Sequence, residues 1–302
     1  MFDVSLRPAA SADLPFIGML CARSTSISEE GLGYPRCDDE SELLAELALY
    51  GNKFEQHVFI VEDVDGTAIG FGGYLISDTD SACYLIAPLL DRRYRTVDTA
   101  TRAVEQLVAQ PIAAPKQVSY LEESNLVLAE ALLRAGWERG SAQLEMCCAL
   151  SAANRGDMVS GYPVRTVESK SDPLFADIAE MLAEHHHWTS DPLIRLSDYV
   201  ADGYQVSVIE LDVLAACALW IRVADTAFGR LDYLSVAEAW RGKSLGTALT
   251  KHVLAEAVAV GGIEKMYLSV DPGNEAARRV YRACGFVDGT VSRQYRYAPG
   301  PV

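Results

Sequence analysis

Two pairs of short segments in this chain repeat at nearly constant separations. In the first pair a short extended segment carries an arginine, Arg7 or Arg165, and an aspartate soon after it opens an apolar run of helical period. The second pair begins at Asn125 or Asn274 and ends at a glycine followed by an aromatic residue. The separations are 158 and 149 residues. Such a repeat constrains the chain to fold as two copies of one unit.

Each copy has the same order of predicted elements. A short strand and an Asp-capped helix are followed by a hairpin, a strand, a long amphipathic helix, a strand, a short helix and a last strand. In the second copy the pattern predicts elements at Val164–Val167, Leu174–His187, Gln205–Leu211, Val213–Val223, Arg230–Val236, Ser244–Val260, Lys265–Val270, Glu275–Cys284 and Val291–Tyr297.

A polar stretch of small residues separates the two copies. Residues 151–161 contain serine, alanine, asparagine and glycine but no apolar periodicity, which is typical of a linker. The sequence therefore predicts an N-terminal domain at residues 1–152, a linker at 153–161 and a C-terminal domain at 162–302.

The charge balance excludes several classes of protein. The formal net charge is −16, which disfavours binding to nucleic acid or to an anionic membrane surface.

No apolar run reaches the ~18 residues of a membrane-spanning helix, and no signal peptide is visible at the N-terminus. The seven cysteines include no CxxC pair, so we expect reduced thiols, no metal site and a cytoplasmic location.

A glycine-containing loop in the second copy carries the most information. An apolar strand ends at Val236, the loop Arg241–Thr247 follows, and a helix begins directly after it. Backbone N–H groups at such a helix start suit a phosphate or pyrophosphate. The loop is neither a P-loop nor a dinucleotide fingerprint. By itself the loop favours the plainer interpretation, a capped helix start.

The sequence around this loop resembles the GCN5-related N-acetyltransferase (GNAT) family. The resemblance rests on the loop together with Leu268–Val270, Asn274, Tyr281 and Gly285–Phe286. It covers about 75 residues of the second half closely, and the two-copy layout is similar to that of mycothiol synthase. The first glycine of the family's loop motif is Ser244 here. The resemblance implies two tandem acyl-CoA N-acyltransferase domains of the α/β (α+β) class, each a mixed, mostly antiparallel sheet flanked by helices and splayed at the cofactor strand.

The resemblance also implies acetyl-CoA as the acyl donor. The backbone of the strand that ends at Val236 would pair with the pantetheine arm, one N–H would polarise the thioester carbonyl, and the loop would hold the pyrophosphate. Asn274 would orient the pantetheine or the turn before the next helix. The cofactor-binding residues implied are Leu234, Ser235, Val236, Arg241, Gly242, Lys243, Ser244, Leu245, Gly246, Thr247, Asn274 and Tyr281.

Two residues are the candidate catalytic groups. Tyr281 corresponds to the family's acid, which protonates the departing CoA thiolate. The alternative is that its ring only packs against the sheet. Asp232 is the candidate base, because strand alternation would place it on the face of Leu234 and Val236. Glu238 or a water relay are the other possibilities.

The histidine run at residues 185–187 ends the first helix of the second copy. Adjacent helical side chains point about 100° apart, so the run does not form a metal site. A polar helix C-terminus is the plainer interpretation, with His187 or Trp188 touching the acceptor as the alternative.

The first copy lacks the loop. No glycine occurs between Gly73 and Gly136, and the position of Tyr281 is occupied by Leu132. The arginines at 92, 93 and 95 could meet an anion, but a charged helix start accounts for them. We therefore expect a degenerate N-terminal copy that packs against the catalytic C-terminal copy within a monomer.

These observations together predict an enzyme. It would move an acetyl group from acetyl-CoA to the primary amine of a small molecule by direct attack, without an acyl-enzyme intermediate. A mycothiol-synthase-like activity is a narrower form of this prediction. The alternatives are a peptide or protein N-acetyltransferase and a non-catalytic acyl-CoA sensor.

Overall fold

Contacts within the chain divide it into two compact units. The computed structural model describes residues 3–77, 82–111, 117–150, 161–167, 169–188, 190–223 and 226–297. The first unit is Met1–Gln143 with Val291–Val302, and the second is Leu144–Thr290. The predicted boundaries at 152 and 162 therefore differ from the observed division. The predicted linker, 153–161, lies outside the described residues except for Gly161.

The first unit is a mixed sheet with helices. The sheet order is β1-β3-β4-β5-β6 followed by the end of β13, and β2 also pairs with β6. All these pairs are antiparallel except β5 with β6. The elements are β1 (Ser5–Pro8), α1 (Leu14–Ser26), β2 (Leu32–Tyr34), α2 (Glu40–Leu49), α3 (Phe54–His57), β3 (Val58–Glu62), β4 (Ala68–Ser77), β5 (Ala82–Leu90), α4 (Val97–Val108), β6 (Gln117–Glu122), α5 (Leu126–Arg134) and β7 (Glu138–Ala149).

The second unit repeats this arrangement. Its sheet order is β8-β9-β10-β11-β12 followed by the end of β7, and only β11 with β12 is parallel. Its elements are β8 (Val164–Val167), α6 (Phe175–His186), α7 (Pro192–Ala201), β9 (Gln205–Leu211), β10 (Val213–Arg222), β11 (Phe228–Val236), α8 (Leu245–Val260), β12 (Lys265–Val270), α9 (Glu275–Ala283) and β13 (Val287–Tyr297). The mixed, mostly antiparallel sheet is as predicted.

The last strand of each sheet comes from the other half of the sequence. Leu144–Ala149 pairs with β12 of the second unit, and Ser292–Tyr297 pairs with β6 of the first. Tyr295 is 3 % exposed in the core of the first unit. The two-domain boundaries predicted from the sequence are corrected accordingly. The pattern of alternating residues shows that a strand exists but does not specify its partner.

Local geometry shows that the two units are copies. Arg7 is bound by both oxygens of Asp13 and by Glu62, and Arg165 is bound in the same way by Asp172 and Glu210. Bidentate pairing of this kind fixes the first strand to the start of the helix in each unit.

The second pair of repeated segments also has the same local geometry in both units. Asn125 and Asn274 both cap the following helix with their side chains, at backbone angles that agree within a degree or two (φ −79° and −80°, ψ 69° and 70°). Both helices end at a glycine of positive φ, and the next residue donates its N–H to Leu132 O or Tyr281 O. Leu132 is therefore the structural equivalent of Tyr281.

The helix α8, which follows the glycine loop, is anchored to the sheet by a carboxylate. Glu256 accepts hydrogen bonds from Thr166 (2.5 Å), Ser207 (2.9 Å) and Trp220 (3.1 Å), one residue from each of β8, β9 and β10. His252 Nε2 lies 3.2 Å from the same carboxylate. Burial alone would raise the pKa of Glu256, but the hydrogen bonds from His252, Thr166 and Ser207 lower it to about 2.

We expect Glu256→Gln to destabilise the protein by about 1–3 kcal/mol at pH 7, because three donors lose a charged acceptor. A pKa that folding depresses contributes stability above about pH 4.5 and loses it as the pH falls towards 2. The difference in the free energy of unfolding between Glu256→Gln and the wild type should therefore be smaller at pH 3 than at pH 7, as measured by urea unfolding. A difference that stays constant would contradict the role of the charge.

The strand exchange predicts how fragments behave. A fragment of residues 162–302 lacks Leu144–Ala149 and leaves the edge of β12 unpaired, so we expect aggregation or a non-cooperative transition. A fragment of residues 144–290 contains the whole second unit and should unfold cooperatively in circular dichroism. Equal stability of the two fragments would contradict the strand assignment.

Among the described residues, no helix is both long enough and apolar enough to cross a membrane.

Candidate functional site

A cavity of about 740 Å³ lies in the second unit at the end of β11. Elements α6, β11, the glycine loop, α8 and α9 all contribute to its walls. Eleven of the twelve cofactor-binding residues expected from the sequence line it. They are Leu234, Ser235, Val236, Arg241, Gly242, Ser244, Leu245, Gly246, Thr247, Asn274 and Tyr281.

The cavity begins where two parallel strands diverge. β11 and β12 pair only from Phe228 to Arg230, so among the described residues no strand lies beside the rest of that edge of β11. On its other edge β11 pairs with β10, and the N–H of the following residue, Ala237, bonds to Ala215 O. By antiparallel alternation, the N–H groups of Leu234 and Val236 then point to the open edge. This edge can pair with an extended amide chain.

The loop after β11 is shaped for an anion. Gly242 and Ser244 both have positive φ (76° and 63°), and Ser244 precedes the first turn of α8. The N-terminus of α8 therefore points its free N–H groups into the cavity. A Cβ at Gly246 would lie 3.6 Å from Val280, so glycine is not required for packing there. The missing Cβ leaves room for a ligand instead.

Tyr281 and Asn274 lie on the opposite wall, on α9 and at its start. Tyr281 is 8 % exposed, and its ring packs against Phe286 at 5.8 Å between centroids. Burial, with a smaller effect of Cys284, raises the pKa of Tyr281 to about 12, so the phenol keeps its proton at neutral pH. Asn274 accepts the N–H of Ala277 and thereby fixes the start of α9.

Two of the expected site residues lie outside the cavity. Lys243 places its ammonium 4.3 Å from the centre of the Trp240 ring, a cation–π contact. Asp232 is bound by Arg230 (2.6 Å) and by the hydroxyl of Tyr204.

A β-bulge explains the position of Asp232. Leu219 pairs with Tyr233 whereas Trp220 pairs with Leu231, so Asp232 is the extra residue on β11. The alternation expected from Leu234 and Val236 therefore does not extend to Asp232. Because Asp232 is already paired with a guanidinium, it is a poor candidate for a base.

The cavity also contains residues that the sequence pattern does not single out as ligands. His185 and His186 line it, and His186 Nε2 lies 3.0 Å from the Ser235 hydroxyl. No local signal places the end of α6 beside β11. Ala277, which also lines the cavity, could have been found from its helical spacing to Tyr281, and Val280 from its spacing of three residues to Ala277.

The corresponding place in the first unit is closed. The cavity there measures about 10 Å³, and it is lined by Pro88 and Arg95 among others. Arg95 donates to Asn125 Oδ1 at 2.9 Å, and Arg92 pairs with Glu30 at 2.9 Å. The side chains of Arg92 and Arg95 thus bind the protein itself.

The first unit also lacks a backbone N–H that the second unit presents at its open strand edge. The N–H of Asp91 bonds to Ile69 O as that of Ala237 bonds to Ala215 O, which makes Pro88 the equivalent of Leu234. Proline has no N–H to offer at the open strand edge.

The part of the second unit that forms the cavity matches a known protein family. Residues 173–286 match the family model described as "Acetyltransferase (GNAT) family". The match includes β11, the glycine loop and Tyr281, so the resemblance expected from the sequence is confirmed.

Solved GNAT structures share the fold over nearly the whole chain. A GCN5-related N-acetyltransferase from Sphaerobacter thermophilus has a TM-score of 0.69 at 18% identity, covering 99% of this chain and 97% of that one. The tandem GNAT protein from the clavulanic acid biosynthesis pathway has a TM-score of 0.57 at 14% identity, covering 99% and 100%. The tandem GNAT fold is therefore confirmed.

A curated relative extends the similarity. The mycothiol acetyltransferase of Kineococcus radiotolerans is 32% identical over 177 residues, which cover 56% of this chain and 57% of that protein. The chain thus spans a little over half the length of this relative.

The left-handed conformation of Ser244 costs free energy, since a side chain disfavours positive φ. We expect Ser244→Gly to stabilise the protein by about 0.5–1 kcal/mol. The matched variant is Gly242→Ala, where a Cβ would meet open space and only the backbone is strained. It should cost about 1 kcal/mol. Urea unfolding measures the free energy of unfolding of each variant. A loss of stability in Ser244→Gly would contradict the assignment of backbone strain to Ser244.

Proposed function

We propose that the second unit is an N-acetyltransferase that moves an acetyl group from acetyl-CoA to the primary amine of a small molecule by direct attack. The observation that carries this proposal is the single cavity in which the open edge of β11, the anion-binding loop and Tyr281 meet. These three features match the three parts of an acyl-CoA: an amide-containing arm, a pyrophosphate and a thioester.

Different residues of the second unit would bind different parts of the cofactor. The backbone of Leu234 and Val236 would pair with the pantetheine arm, and the N–H of Val236 would hydrogen-bond to the thioester carbonyl. A fixed backbone dipole there stabilises the oxyanion without reorganisation. The N-terminal turn of α8, from Leu245, would hold the pyrophosphate, with Arg241 adding positive charge.

Tyr281 would complete the reaction as the acid. Attack by the amine forms a C–N bond, and the C–S bond then breaks. A thiolate left in the buried end of the cavity would be poorly solvated, so a phenol that is still protonated can supply its proton. The elevated pKa of Tyr281 keeps that proton available throughout the neutral range.

A small-molecule acceptor is favoured by the similarity to the mycothiol acetyltransferase of Kineococcus radiotolerans. A peptide or protein N-terminus is the second enzymatic option. The open strand edge could also serve a non-catalytic acyl-CoA sensor, and Tyr281 distinguishes these classes because a sensor needs no acid.

The first test is thiol release from acetyl-CoA with a panel of amines, aminoglycosides and peptides, beside a calorimetric titration of acetyl-CoA. We expect release with one acceptor class and one bound equivalent per chain, since the site of the first unit is closed. Two equivalents would contradict a degenerate first unit. Binding without release from any acceptor would favour the sensor.

Tyr281→Phe is expected to lower kcat by about 10²-fold, because it removes only the proton that the thiolate receives. The dissociation constant of acetyl-CoA should change by less than about threefold. Tyr297→Phe in the first unit is the matched control and should leave both quantities unchanged. Unaltered turnover in Tyr281→Phe would assign the ring to packing alone.

A further inference from the structure

The cavity of the second unit opens on both faces of β11. Leu234 faces α8, since its Cδ2 lies 3.8 Å from where a Cβ at Gly246 would be. Ser235 faces the other way, towards α6, where its hydroxyl lies 3.0 Å from His186 Nε2. The strand partner of Ser235, Cys217, contacts Met181 of α6 on that same face (3.8 Å between sulfurs). Tyr281, on α9 beside α8, and His186, on α6, thus line one cavity from opposite faces of β11.

This arrangement leaves one approach for the acceptor. The glycine loop and Tyr281 occupy the end towards α8 and α9, and the proposed function places the cofactor there. The amine then has to arrive at the thioester from the α6 end. A group that takes its proton must lie at that end too, within reach of the residues at the close of β11.

At the α6 end the described structure offers a hydroxyl hydrogen-bonded to an imidazole. Ser235 is 2 % exposed and lines the cavity, and His186 lines it as well. Asp232 does not compete, because the bulge turns it towards Arg230 and Tyr204. Glu238 is not among the residues that line this cavity.

We infer that Ser235 and His186 together are the proton acceptor for the attacking amine. This inference rests on the proposed acetyl transfer and names the base for it. The Ser235 hydroxyl receives a proton from the amine nitrogen while it passes its own proton to Nε2 of His186.

The amine, the thioester, Ser235, His186, Tyr281 and solvent together account for every bond and proton of this step. The amine lone pair forms the C–N bond, the C–S bond breaks with its electron pair on sulfur, and Tyr281 protonates that sulfur. The amine proton reaches His186 through Ser235. Solvent then carries the proton of the imidazolium to the phenolate, which restores both side chains and leaves an amide and a free thiol.

The surroundings of His186 keep it ready to accept a proton. Burial, with the neighbouring His185 and His187, lowers the pKa of His186 to about 4, so the imidazole is neutral at physiological pH. The groups around it are Tyr233 and Ser235 on β11, and Arg241, which reaches His185. A weak base suffices, because an amine proton becomes strongly acidic as its nitrogen turns into an amide.

The experiment compares His186→Gln, Ser235→Ala and the double variant in the full-length protein. The assay is thiol release from acetyl-CoA with the acceptor found in the panel. We expect each single variant to lose about 10²-fold in kcat and the double variant to lose no more than either, since the two groups act as one unit. The dissociation constant of acetyl-CoA should stay within about threefold. His57→Gln in the first unit is the matched control, because it makes the same exchange at a histidine that bonds to Lys53 and does not line the cavity.

Chemical rescue separates a proton acceptor from a structural contact. Imidazole added to His186→Ala should restore turnover, and added to Ser235→Ala it should not. Full activity of His186→Gln, losses that multiply in the double variant, or no rescue by imidazole would each overturn the inference while leaving acetyl transfer intact. A wild-type protein that releases no thiol with any acceptor would overturn the proposed function and this inference with it.

Discussion

The short parallel pairing of β11 with β12 is the constraint on which the site depends. Beyond Arg230 the two strands diverge, and the backbone of β11 is left with N–H groups that face no strand in the part of the chain that the structure describes. Unpaired backbone groups are costly when they are removed from water. An extended ligand that carries its own amides supplies the missing partner. The same divergence opens the sheet to both of its faces, so a donor and an acceptor can meet at the end of one strand.

The first unit shows how little is needed to close this site. β5 and β6 pair over just two residues, Cys83 and Tyr84, so the strands diverge there too. Pro88 removes the N–H that Leu234 offers, and Arg95 fills the space beside Asn125. The fold is kept, because its hydrogen bonds and core are independent of these side chains.

The exchanged strands explain why the second unit needs the first half of the chain, although the cavity of the first unit is closed. Leu144–Ala149 belongs to the first half of the sequence, yet it completes the sheet of the second unit beside β12. Without it the edge of the strand next to the site would be exposed to solvent. The first half therefore contributes a strand and the buried side chains of Leu144, Met146 and Cys148 to the second unit, whatever its own cavity can bind.

The sequence by itself determined the duplication, the order of elements, the glycine loop and Tyr281, because each depends on local residue types and on spacing along the chain. It did not predict α2 or α7, or the partners of the last strands, because alternation does not identify the neighbour of a strand. Only the tertiary structure placed His186 beside Ser235 and turned Asp232 away. The first depends on where a helix ends relative to a distant strand, and the second on a one-residue bulge that reverses the face of a side chain.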